Sequence, residues 1–139
     1  MSETLYQATC VALEGRGLLI LGEPGSGKSS LALALIDRGA QLVGDDGVAL
    51  EMREGALWAC PPQATAGLIE IRNVGLATLP ATAAPVALAV TLDSSAPRLP
   101  EGPGELVLLG QTIPHLALYP EAEALALRAE YALRLHGLA

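Results

Sequence analysis

Gly22-Glu23-Pro24-Gly25-Ser26-Gly27-Lys28-Ser29 has the spacing G-x-x-x-x-G-K-S of a Walker A P-loop. Each residue type in it suits one task, which is holding a polyphosphate. Glycines let the backbone curl until several N–H groups converge on one phosphate. A helix beginning at Ser29 would aim the positive end of its dipole at the same point. Lys28 reaches the β- and γ-phosphates as a mobile point charge, and the Ser29 hydroxyl ligates Mg²⁺. Lys28 is also the only lysine in the chain; every other base is Arg. A P-loop specifies a nucleotide, not a reaction.

Other residues carry charge or chemistry with less specificity. Asp45-Asp46-Gly47 reads either as a turn after a strand or as a carboxylate delivered to the Mg²⁺ end of the phosphates by a strand adjacent to the P-loop strand. So few residues separate the two segments that Asp46 is expected close to Ser29. Glu70 and Arg72, two apart on a strand, share one face. They form either a weak exposed ion pair or part of a site. Arg98, in the Pro/Gly/Ser-rich stretch 93–104, is either a solvated loop charge or an anion clamp. His115 and His136 are read as structural or surface residues. Trp58 and the tyrosines form no stacking platform.

These residues need elements to position them. Residues 4–13 read as one strand and 18–21 as a short strand buried on both faces. Residues 29–38 read as a helix ended by Gly39 at C′. Strands are expected at 41–43, 48–52 and 56–59, the last two joined by a hairpin turn at Arg53-Glu54-Gly55. Residues 63–80 mix strand and turn features, and 85–92, 106–109 and 113–118 read as strands. Pro120 is expected to open a final helix, with Glu121 and Glu123 at its N-terminus, Arg134 and His136 at its C-terminus and Gly137 after it. The pattern is α/β with more strands than helices.

Composition bounds the function. A chain of 139 residues, 51% hydrophobic and 17% charged, is expected to fold as one domain, 1–139, around its own core. A net charge of −7 with no basic run argues against nucleic acid and against a polybasic membrane anchor. No apolar run approaches the ~20 residues that span a bilayer, and no signal peptide is visible. Cys10 and Cys60 lie in no metal or redox spacing, as expected of reduced thiols in a cytoplasmic protein.

GEPGSGKSSLALALIDRGAQLVGDD followed by GLIEIRNVGL resembles the C-terminal catalytic domain of bacterial HPr kinase/phosphorylase, in its short single-domain form. The resemblance runs from about Gln7 to the last helix. It implies a P-loop kinase domain related to phosphoenolpyruvate carboxykinase, with a mixed sheet and few helices. It implies a cytoplasmic serine kinase, in many members also a phosphorylase, acting on the phosphocarrier HPr with ATP and Mg²⁺ and so regulating carbohydrate metabolism through the phosphotransferase system. Assembly as a homo-oligomer, commonly a hexamer, is also implied. The family's nucleotide-binding residues fall on Gly22, Glu23, Pro24, Gly25, Ser26, Gly27, Lys28, Ser29 and Ser30. Its catalytic aspartate falls on Asp46, with Asp45 beside it, and its catalytic arginine on Arg98. Its metal-associated groups fall on Ser29, Asp45 and Glu70. The segment used for dephosphorylation falls near Ile113-Pro114-His115-Leu116.

Three positions depart from the family. Gln7 stands where a His is usual, and Gln cannot relay a proton near neutral pH. Ser30 replaces an acid. Asn73 replaces a Gly, and Asn tolerates left-handed backbone better than most residues. Two other functions are consistent with these residues: a nucleotide-binding sensor with impaired catalysis, for which Gln7 speaks, and a small-molecule kinase on the same fold.

Overall fold

The computed structural model describes residues 3–139. In chain order its elements are β1 (Thr4–Tyr6), β2 (Thr9–Leu13), β3 (Arg16–Gly22), α1 (Lys28–Asp37), β4 (Gln41–Gly44), β5 (Val48–Arg53), β6 (Ala56–Cys60), β7 (Leu68–Ile71), β8 (Gly75–Thr78), β9 (Ala84–Leu92), β10 (Gly104–Leu108), β11 (Gln111–Leu118) and α2 (Leu125–His136). Strands outnumber helices, as the apolar runs between turn signals predict.

The apolar run 18–21, buried over 18–20, lies in β3, near the centre of the large mixed sheet, whose order is β1-β5-β6-β9-β3-β2-β4. β3 and β9 are parallel, β2 is antiparallel to both β3 and β4, and β11 adds in parallel to the far end of β9. Successive side chains of a strand face opposite ways. Val11, Leu18, Ile20, Leu88 and Val90 therefore pack on one face with α1 and α2. Cys10, Ala12, Leu19 and Ala89 pack on the other. There the sheet curls, and Val48, Leu50, Leu57 and Ala59 of β5 and β6 cover that second core.

α1 presents Leu31, Ala32 and Leu35 to the first core at helical spacing. It stops at Gly39, whose φ of 109° only glycine adopts readily. The Gly39 N–H donates to the Ile36 carbonyl and the Ala40 N–H to the Leu35 carbonyl, each at 3.0 Å. This paired closure satisfies two carbonyls that a helix end otherwise leaves open. The helix itself starts at Lys28, one residue before the expected position.

Three expectations change. Residues 4–13 are two strands, broken at Gln7-Ala8: β1 joins β5 while β2 joins β3 and β4. The segment rounds from one layer of the curled sheet to the other, and a single straight strand cannot do that. The final helix begins at Leu125, not Pro120. Ala124 before it is left-handed at φ 55°, and the Ala122 N–H donates to the Tyr119 carbonyl within a turn. Glu121 and Glu123 thus precede the helix, whereas Arg134 and His136 do occupy its last turn. Thirdly, β4 is not adjacent to the P-loop strand, because β2 lies between them.

Residues 63–80 resolve into the β7–β8 hairpin, a separate two-stranded sheet. Fully buried Ile69 anchors it in the helix-side core, and alternation turns Glu70 outward. Asn73 in its turn is left-handed at φ 68°, a conformation Asn accepts. No helix among the described residues is long and apolar enough to cross a membrane.

Candidate active site

The P-loop joins the end of β3 to the start of α1. The Ser26 N–H donates to the Glu23 carbonyl at 3.0 Å, which closes the curl. A side chain on Gly22 would meet Ser26 Oγ at 2.5 Å, so the tight crossing requires glycine there. Lys28 Nζ bridges back across the loop to the carbonyls of Gly22, at 2.8 Å, and Glu23, at 3.1 Å. These bonds hold the ammonium at the helix N-terminus, where the dipole and the free N–H groups of the first turn already favour an anion.

Asp45 is the hub of the site. Its Oδ1 accepts from the Ser29 hydroxyl at 2.6 Å and from the Thr9 hydroxyl at 3.2 Å. Its Oδ2 accepts from the Glu70 N–H at 3.0 Å. The carboxylate thus ties α1, β2 and β7 together just past the end of β4. Asp46 is exposed and left-handed at φ 60°, and its N–H donates to Thr9 Oγ1 at 3.2 Å.

A cavity of about 270 Å³ opens over this network. Pro24, Gly25, Gly27, Lys28, Ser29 and Ser30 line one side, and Thr9, Asp45, Asp46, Glu70 and Arg72 the other. Gly22, Glu23 and Ser26 instead line a crevice on the opposite side of the loop, with Thr91, Asp93 and Pro120. Gln7 is exposed at the break between β1 and β2 and does not line the cavity. Arg98 does not line it either; it is exposed on the loop after β9. Arg72 is the arginine that does. His115, on β11, is hydrogen-bonded to Thr91 at 2.6 Å and does not line the cavity of the acids.

Two cations, Lys28 and Arg72, face three carboxylates, Asp45, Asp46 and Glu70. That balance is net negative before any phosphate arrives, so a polyphosphate needs an accompanying cation. The hard oxygen donors suit Mg²⁺. Among the described residues no three His, Cys, Asp or Glu side chains form a closed metal cage. Mg²⁺ fits such an open set, because it keeps several waters and takes phosphate oxygens as ligands. Neither cysteine lines this cavity. Burial pushes the Cys10 thiol well above its ordinary value and is also the main cause that raises Cys60.

Residues 1–82 match the family model for the HPr Serine kinase C-terminal domain. The chain belongs to this family. The matched segment of the HPr kinase C-terminal domain contains every residue lining this cavity, while Arg98 lies beyond it. An HPr kinase/phosphorylase of Clostridium novyi (strain NT) is 43% identical over 79 residues, 57% of this chain and 26% of that protein. That of Clostridium tetani (strain Massachusetts / E88) is 44% identical over 78 residues, 56% of this chain and 26% of its own length. The chain therefore spans about a quarter of the length of these curated relatives. The structure of the Hpr(Ser) kinase/phosphatase from Coxiella burnetii superposes with a TM-score of 0.84 at 30% identity, over 95% of this chain and 89% of that one. The α/β fold with its curled mixed sheet and two helices is thus that of an HPr kinase structure.

Sequence reasoning passed over Thr9. Its signal was a hydroxyl inside the apolar run Ala8-Thr9-Cys10-Val11-Ala12. A buried polar group needs a partner, and here the partners are the two aspartates.

Proposed function

We propose that this chain, acting as one catalytic unit over residues 1–139, transfers the γ-phosphoryl group of ATP to a serine hydroxyl of an HPr-like phosphocarrier protein. The observation that carries this reading is the Ser29–Asp45 contact of 2.6 Å beneath an open P-loop, with Asp46 exposed next to it. That pairing of a P-loop hydroxyl with an acid is what a Mg²⁺-nucleotide site requires. Membership of the HPr kinase family supports an HPr-like carrier as the acceptor.

In this reading the P-loop N–H groups and Lys28 bind the β- and γ-phosphates. Ser29, Asp45 and Glu70 would hold Mg²⁺ directly or through water, and the ion would neutralise charge on the phosphate oxygens. Asp46, exposed at the cavity mouth, takes the proton from the incoming serine hydroxyl as its oxygen meets the γ-phosphorus. Lys28 stabilises charge on the transferred group, and Arg72 lines the same cavity. Arg98 is the arginine that the resemblance assigns to catalysis, and its loop lies outside that cavity. In the reverse direction Asp46 returns the proton to the serine oxygen.

The test is phosphoryl transfer from γ-labelled ATP to a purified HPr-type carrier with Mg²⁺, read as phosphoserine on the carrier. Transfer is the expected result. Binding of Mg-ATP without transfer to the carrier, but with transfer to a sugar, amino acid or nucleoside, would replace the protein acceptor with a small molecule. Binding with no acceptor at all would make the chain a sensor.

A further inference from the structure

Thr9 is the one buried polar residue among the described residues, with 0% of its surface exposed. Ala8 just before it and Cys10 and Val11 after it on β2 are apolar and equally buried. Valine would fill nearly the same space, so what threonine adds at this position is the hydroxyl. A hydroxyl has one proton to give and lone pairs with which to accept. Here the proton goes to Asp45 Oδ1 and a lone pair takes the Asp46 N–H, both at 3.2 Å. One oxygen thus serves both aspartates.

The local backbone explains how it reaches them. β2 pairs with β4, and the register shifts between Cys10 and Val11, with Cys10 opposite Gly44. The chain leaves β4 at that point, which brings Asp45 and Asp46 over Thr9. Asp46 then holds a left-handed conformation, φ 60°, which aspartate enters more readily than most residues but still at some cost relative to extended backbone. The bond from its N–H to Thr9 offsets that cost and fixes the direction in which its carboxylate leaves the backbone. For Asp45, Thr9 and Ser29 share Oδ1 while the Glu70 N–H holds Oδ2. The carboxylate is thereby locked against rotation.

We propose that Thr9 is a positioning residue for phosphoryl transfer, orienting Asp45 towards Ser29 and Asp46 towards the mouth of the phosphate cavity through a single hydroxyl. This rests on the reading of the cavity as a Mg-ATP site. Thr9 touches no reacting atom; it acts through the two acids. A misplacement of about 1 Å at such groups costs on the order of 100-fold in rate.

The test compares Thr9→Val, which removes the hydroxyl at constant shape, with Thr9→Ser, which keeps the hydroxyl and removes the methyl. Thr9→Ala replaces the valine variant if that one does not fold. ATP affinity is measured by titration calorimetry with Mg²⁺ and with EDTA, and transfer to an HPr-type carrier is measured separately. Thr9→Val is expected to leave the EDTA affinity within twofold of wild type. It is expected to cut the gain in affinity that Mg²⁺ confers by fivefold or more, and to lower kcat by 10- to 100-fold with the KM for the carrier unchanged. Thr9→Ser should recover each to within threefold. The proposal is overturned if Thr9→Val keeps both the Mg²⁺ gain and kcat within twofold. It is equally overturned if Thr9→Ser is as impaired as Thr9→Val, since packing would then be the role. If wild type transfers nothing to the carrier while the Mg²⁺ gain responds as stated, the acceptor assignment fails and Thr9 keeps its role.

Discussion

Ser29 and Asp45 lie 2.6 Å apart, oxygen to oxygen, although the strands that lead to them are not neighbours. β2 separates β3 from β4, and the contact forms across the top of β2 where Thr9 begins it. Replacing Asp45 with Ala removes the acceptor for the Ser29 hydroxyl, the Thr9 hydroxyl and the Glu70 N–H together. A buried donor left without a partner costs about 1–3 kcal/mol. The fully buried Thr9 is the donor least able to turn to water. Asp45→Ala is therefore expected to lower Tm in a thermal melt and to weaken Mg-ATP binding at least tenfold. Unchanged Mg-ATP affinity would remove Asp45 from the metal site.

Asp46 is exposed and makes no side-chain hydrogen bond among the described residues, so its carboxylate contributes little to folding. Asp46→Asn is expected to keep the fold and to bind Mg-ATP within threefold of wild type. General-base catalysis supplies about 10²–10⁴-fold, so transfer to the carrier should fall by at least about 100-fold. Retained transfer would exclude Asp46 as the base.

Arg72 lines the cavity beside the P-loop, and Arg98 sits exposed on the loop after β9. Charge stabilisation of a transferring phosphoryl group falls steeply with distance in a site open to water. Arg72→Ala is therefore expected to lower kcat for transfer by tenfold or more, and Arg98→Ala by a smaller factor. Parallel steady-state assays of the two variants decide this, and the reverse order would show that the Arg98 loop reaches the phosphates.

Glu130 on α2 accepts two hydrogen bonds from Arg38 at the end of α1, at 2.8 and 2.9 Å. The hydrogen bonds from Arg38 hold the Glu130 carboxyl below its ordinary value. A carboxylate lowered in the folded state stabilises above its unfolded pKa, and that contribution is lost as pH falls through the folded one. Glu130→Gln should therefore lower Tm at pH 7, and the gap to wild type should close as pH drops below the usual carboxylate range. A gap independent of pH from 7 to 3 would show that the pair acts by packing, not charge.

Much of this architecture is legible in the chain because the signals are local. The apolar run 18–21, the Gly-rich loop and the helix ended by Gly39 lie within one continuous stretch, and each is specified by neighbours in sequence. The β5–β6 hairpin is equally local, with Glu54 at φ 49° and Gly55 at φ 82° in its turn. Longer-range features were not legible. The break at Gln7-Ala8 depends on the two layers that β1 and β2 join. The late start of α2 depends on where Ala129, Ala132 and Leu133 meet the core, and that packing outweighs the helix-start signal at Pro120.

By itself, then, the sequence determined the P-loop cradle, because eight consecutive residues carry the turn, the N–H groups, the ammonium and the hydroxyl. Only the tertiary structure decided what faces that cradle. Thr9, Asp45, Glu70 and Arg72 arrive from three separate segments. Their meeting depends on the β2–β4 register shift and on Ile69 anchoring its hairpin in the core. A one-residue slip in either would turn the acids away, since strand side chains alternate faces.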